Sequence, residues 1–163
     1  MHIVTPVEVE LEGPTVKEGR WNDRAVDVPA AQQNQLDEAK DHFIQRDGVE
    51  FAGTHLLLDL WGASHLDELD RMEQAMRDIV KECGATLLHI HLHHFTPSGG
   101  ISGVAVLAES HISVHTWPER DYAAFDVFMC GDAKPENAVP ILKRAFFPHR
   151  LEVTEELRGR VQK

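Results

Sequence analysis

Cysteine is scarce in this chain. Among 163 residues only Cys83 and Cys130 carry thiols, and no C-x-x-C pair is present. That excludes a disulfide framework and suits a reducing compartment with free thiols. Long apolar runs are missing as well: no stretch reaches the ~20 residues a helix needs to cross a bilayer. The opening MHIVTPVEVELEG is too acidic for a signal peptide. The expectation is a soluble, cytoplasmic protein with no membrane partner. Positive charge is the third deficit. Sixteen Lys and Arg face 27 Asp and Glu, a formal net charge of −11. Such a surface disfavours nucleic acid as a partner and mildly favours a cationic ligand. Its simplest role is to keep the protein in solution.

Hydrophobic residues make up 42% of the chain, enough for one domain with a real core. Residues 1–50 read as an N-terminal extension of unknown role. HIVTPVEVELEG has the alternation of an edge strand, a polar connector follows, and QQNQLDEAKDHFIQRDG reads as a short polar helix ending at Gly48. Packing on the outside of the domain, an oligomer contact and partial disorder all fit.

Residues 51–163 read as the working domain. THLLLDLWG (54–62) is a strand. Ser64 is placed to cap a helix, with Asp67 three residues on. Leu66, Leu69, Met72, Met76, Ile79, Val80 and Cys83 recur at helical spacing, and Gly84 stands where a helix ends. Four strands follow: 85–95, 101–109, 111–117 and 121–131. KPENAVPILKRAFF (134–147) is a second helix, with Asp132 as its cap, Pro135 in its first turn and Pro140 against it farther in. HRLEVTEEL (149–157) is the last strand. Short loops between consecutive strands imply antiparallel pairing. The fold class is therefore α+β: a two-layer sandwich of mainly antiparallel sheet with helices on one face. The other face needs a cover, which a second copy of the chain would supply.

Chemistry concentrates in AESHISVHTWPERDYAAFDVFMCG (108–131). Strand alternation puts His111, Ser113, His115 and Trp117 on one face and Ile112, Val114 and Thr116 on the other. Serine, histidine and cysteine in one region point to nucleophile and proton-transfer chemistry. Taken singly, each residue has an ordinary reading. Ser110 suits a solvated turn, Cys130 a small buried hydrophobe, and Phe95 and Trp117 a core. His89, His91 and His93 alternate on one strand, which suggests a zinc-binding face and hydrolytic chemistry as a rival reading. A polar strand face at a boundary is the plainer one.

The stretch from Ile101 to Asp132 resembles the processing region of prokaryotic S-adenosylmethionine decarboxylase proenzymes. That family reads F-x-P-x-G-V-S-G-V-x-x-x-x-E-S-H-x-x-x-H-T-[WF]-P-E-x-G-Y-A-x-x-D-x-[FY]-x-C-G. The similarity runs from about Gly53 to about Arg158. It implies a self-cleaving, pyruvoyl-dependent enzyme. Ser110 would attack the carbonyl of Glu109, and elimination would part the chain between them. Residue 110 would become a pyruvoyl group whose ketone takes the substrate amine as a Schiff base, with no pyridoxal phosphate. The resemblance makes His115 the base of processing, Ser102 its helper and Cys130 the proton donor in turnover. Phe95 would stack on adenine with Trp117 nearby, and Glu119 would hold the ribose. No metal is implied. It also implies a homodimer with shared sites, Ser110 and Cys130 from one protomer and Phe95, Ser102, His115 and Glu119 from the other. The substrate would be S-adenosylmethionine and the product the aminopropyl donor for spermidine. Two positions depart from the pattern. Gly99-Gly100 lengthens the loop after Phe95 by one residue, and Asp121 stands in place of glycine. Both bear on the substrate pocket, so a pyruvoyl decarboxylase of ornithine or arginine stays open beside this reading. An uncleaved regulatory homologue is the remaining alternative.

Overall fold

The computed structural model describes residues 42–108 and 110–161. Six strands form one antiparallel sheet: β3 (Gly53–Trp61), β4 (Leu87–His94), β5 (Ile101–Leu107), β6 (Ser110–Trp117), β7 (Tyr122–Cys130) and β8 (Arg150–Arg158), in the order β4-β5-β6-β7-β3-β8. A small hairpin, β1 (Ile44–Arg46) and β2 (Val49–Phe51), precedes them. Two helices, α1 (Leu69–Glu82) and α2 (Ala138–Phe146), cover one sheet face. The architecture is the expected two-layer α+β sandwich.

Alternation builds the core. Leu56, Leu58 and Leu60 on β3, Ile112 and Val114 on β6, and Phe125 and Val127 on β7 all point to the helices. Met72, Met76, Ile79 and Val80 of α1 and Ile141, Leu142 and Phe146 of α2 meet them. Each such side chain contributes about 1.5–3 kcal/mol by leaving water.

Four local expectations change. The polar helix read up to Gly48 falls partly outside the described residues, and where it is described it is a hairpin. Asp47 and Gly48 both take positive φ (52° and 77°), the two-residue turn that matches strand twist. The hairpin joins the sheet through Ala52 N–H to the Arg158 carbonyl, Val161 N–H to the Glu50 carbonyl, and an Arg46–Glu155 ion pair. The edge strand and connector read earlier in the chain lie outside the described residues. Second, α1 starts at Leu69 rather than after Ser64, and its N-cap residue Glu68 makes no side-chain cap. Ser64 instead donates its N–H to the Phe146 carbonyl at 2.8 Å, tying this segment to the end of α2. Leu66 is buried but not helical. Third, Asp132 does not cap α2. Pro135 opens one 3-10 turn, and Asn137 occupies the N-cap position with its side chain turned to the Glu82 carbonyl. Fourth, because α2 starts at Ala138, Pro140 lies in its first turn, where no intrahelical N–H bond is required.

Among the described residues nothing covers the other sheet face. Strand register lays it out in rows. Arg150, Trp61, Tyr122 and Trp117 form one; Glu152, Asp59, Ala124, His115, Ser102 and His93 form the next. Leu57, Trp61, Val106 and Trp117 on this face are 37–41% exposed.

Candidate active site

The predicted residues gather at two separate places. Ser110 opens β6 and Cys130 closes β7 beside it, with Ser110 Oγ 3.2 Å from Cys130 Sγ. Cys130 is buried and Ser110 half-buried. Glu109 lies outside the described residues. At the far end of β6, Ser102 Oγ and His115 Nδ1 are 2.7 Å apart across the β5–β6 pair. His115 lies five positions along β6 from Ser110, about 17 Å at strand rise.

Phe95, Ser102, His115, Trp117 and Glu119 line one cavity of about 310 Å³. Ser110 and Cys130 do not line it. The six residues from Phe95 to Gly100 form a closed loop at its rim. Phe95 donates its N–H to the Gly100 carbonyl, and Gly99 donates back to Phe95, both at 2.8 Å. The two glycines serve different ends. Gly99 takes φ 76°, and at Gly100 a Cβ would sit 2.9 Å from the Thr116 carbonyl. Asp121 adopts the left-handed conformation (φ 49°) that a glycine would otherwise supply, at the end of the Pro118–Arg120 turn. Phe95 and Trp117 are 45% and 41% exposed, so the cavity lacks one wall. A larger groove of about 490 Å³ runs between α1 and α2, away from all of these residues.

Sequence reasoning passed over two supports. Thr116 was placed only as an inward-facing residue of β6. Its hydroxyl accepts the Ile101 N–H at 2.8 Å and donates to the Leu66 carbonyl at 2.9 Å, both buried. Tyr122 donates its hydroxyl to Asp59 at 2.5 Å. Burial first, and then that carboxylate, push the Tyr122 hydroxyl up to about 12. Farther along the face, Asp126 accepts a bond from Ser113 at 2.9 Å and lies 3.3 Å from His55.

His89, His91 and His93 do share the open face, beside Val106, Val104 and Ser102 of β5. Among the described residues no three His, Cys, Asp or Glu side chains gather as a metal set. The zinc reading finds no ligand set among the described residues. Cys83 is a core residue just past the end of α1, and burial pushes its thiol up to about 12. Among the described residues no helix is long and apolar enough to cross a membrane.

A family model described as S-adenosylmethionine decarboxylase matches residues 54–159. The chain belongs to that family. A proenzyme of that name from Thermomicrobium roseum is 46% identical over 110 residues, covering 67% of this chain and 95% of that one. Another from Methanococcus maripaludis is 47% identical, covering 66% of this chain and 89% of that one. The crystal structure of the adenosylmethionine decarboxylase from Aquifex aeolicus shares the fold. Its TM-score is 0.62 at 35% identity, covering 68% of this chain and 93% of that one. The matched span of the family model contains both clusters and the loop between Phe95 and Gly100.

Proposed function

We propose that this chain is a proenzyme that cleaves itself between Glu109 and Ser110 and then decarboxylates S-adenosylmethionine. The observation that carries the reading is the Ser110–Cys130 contact of 3.2 Å, a hydroxyl and a thiol side by side within the span that the family model matches. Ser110 Oγ attacks the Glu109 carbonyl, turning the amide into an ester. A base then takes the Cα proton of residue 110. The ester oxygen leaves with Glu109 as a new C-terminal carboxylate, and the dehydroalanine left behind takes up water and loses ammonia to give a pyruvoyl group. The half-buried place beside the Cys130 thiol fits that small group, with a proton donor at contact distance. The pyruvoyl group supplies an electrophilic ketone that accepts the electrons left by carbon dioxide. Cys130 returns a proton to the substrate carbon. Phe95 and Trp117 supply ring faces for an adenine, and Glu119 supplies a carboxylate for ribose hydroxyls.

The base is His115, with Ser102 bonded to its other ring nitrogen side. The roughly 17 Å of strand between His115 and Ser110 excludes their meeting within one chain. We therefore assign the base to the partner's His115 in a homodimer. Its interface is the uncovered sheet face, where Leu57, Val106 and Trp117 are exposed. A cytoplasmic location agrees with two cysteines, Cys83 and Cys130, that form no disulfide.

Denaturing mass spectrometry tests the first half of the reading. Wild-type protein should yield fragments 1–109 and 110–163, the second carrying a pyruvoyl mass, and Ser110→Ala should stay intact. Cleavage of Ser110→Ala at this bond would refute the mechanism. Carbon dioxide release from S-adenosylmethionine, ornithine and arginine in parallel tests the second half. No release from the first would overturn the substrate.

A further inference from the structure

We infer that Tyr122 is a positioning residue for His115, acting through the ring of Trp117; the inference rests on the self-cleavage reading above. A histidine side chain pivots about two torsions. The Ser102 hydroxyl, 2.7 Å from His115 Nδ1, fixes one ring atom but leaves the ring plane free to turn about that contact. The plane is fixed by Trp117, which stacks on the imidazole at 6.0 Å between centroids and 29° between planes. Trp117 is the last residue of β6 and takes its support from the neighbouring strand. Register supplies it. Tyr122 stands directly across from Trp117 on β7 and stacks on it at 5.3 Å and 28°.

Tyr122 is held from two further sides. Trp61 of β3 covers it at 4.3 Å and 31°, and the Arg150 guanidinium of β8 lies 5.4 Å over Trp61. The Tyr122 hydroxyl donates to Asp59 at 2.5 Å, which stops the ring from sliding along the row. The result is one continuous stack across four strands, from Arg150 at the sheet edge to the imidazole at the site. Offset ring pairs of this kind attract beyond the area they bury, which favours one rotamer of Trp117. The ring and hydrogen-bond partners of Tyr122 are Trp61, Trp117 and Asp59, not Ser110 or His115. Tyr122 works by restricting where His115 can point.

The test compares Tyr122→Leu with Tyr122→Phe in the full chain. Fragment 110–163 is timed by denaturing mass spectrometry, and assembly is measured by sedimentation. Removing the ring should slow self-cleavage about tenfold or more, as sub-ångström misplacement of a catalytic group does. Tyr122→Phe keeps both ring faces and should recover to within about threefold of wild type. Because the elimination step is the one impaired, ester should accumulate in Tyr122→Leu, and added hydroxylamine should cut it. If Tyr122→Leu does not fold, Trp61→Leu at an exposed position carries the test with a smaller slowing. The inference is overturned by wild-type rates in Tyr122→Leu or, where that variant does not fold, in Trp61→Leu. It is equally overturned by a Tyr122→Phe as slow as Tyr122→Leu, or by slowing that follows loss of assembly. A wild type that never cleaves would sink the self-cleavage reading instead, and this inference with it.

Discussion

Replacing Thr116 with valine changes one hydroxyl to a methyl and leaves the shape intact. In the native protein that hydroxyl accepts the Ile101 N–H at 2.8 Å and donates to the Leu66 carbonyl at 2.9 Å. Ile101 and Leu66 are 0% and 2% exposed, so water has no path to replace it. Each backbone group left without a partner costs about 1–3 kcal/mol. The added methyl returns about 0.8 kcal/mol through burial. The expected net loss is about 3 kcal/mol, or roughly 6–12 °C of melting temperature for a domain of this size. Urea unfolding at one fixed protein concentration measures it, with an unchanged slope and a lower midpoint. Thr116→Ser keeps the hydroxyl and should lose only about 1 kcal/mol. Thr116→Val should also slow self-cleavage, because Thr116 lies between His115 and Trp117 and ties Ile101, the neighbour of Ser102, to the loop before α1. A loss below about 0.5 kcal/mol in Thr116→Val would refute the clamp.

Two other expectations are open to direct measurement. At Gly103 a Cβ would meet the Leu92 side chain and stand 2.5 Å from the His91 carbonyl, so Gly103→Ala must part β4 from β5. It should cost about 1–3 kcal/mol in a denaturant titration and disturb the adjoining Ser102; a neutral substitution would contradict the close approach. At alkaline pH, Cys83 and Tyr122 both resist ionisation in the fold, each pushed up to about 12 from ordinary values of 9.0 and 10.0. Their contribution is complete below the unfolded values and is lost as pH rises toward 12. Melting temperature should therefore fall between about pH 9 and 12, and Cys83→Ala should flatten the first part of that fall. A melting temperature that stays level across the interval would contradict the burial argument.

The hydrophobic periods made most of the architecture legible. Leu56, Leu58 and Leu60 alternate, Met72, Met76, Ile79 and Val80 recur at helical spacing, and both elements formed with those faces inward. Local capping signals were less reliable. Ser64 has the chemistry of a cap, but the end of α2 offers it the Phe146 carbonyl, a partner distant in sequence. Asp47-Gly48 was a hairpin signal inside a segment read as helix. The polar residues before it suited a helix, while the sheet edge at Arg158 and Glu155 favoured strands.

Residue identity and order by themselves determined the family and the two-layer class, and pointed to a set of candidate side chains. Those depend on types and spacings along one strand. Only the tertiary structure decided which of them meet. Ser110 touches Cys130 because β7 runs antiparallel to β6 and brings Met129 opposite Ser110, with Cys130 the next residue along. His115 joins Ser102 because β5 and β6 pair in one particular register. The same register separates the two pairs by five positions along β6, and it lines up Arg150, Trp61, Tyr122, Trp117 and His115 as one stack. Register is set by long-range pairing between strands that the sequence does not place side by side, so these contacts could not be read from it.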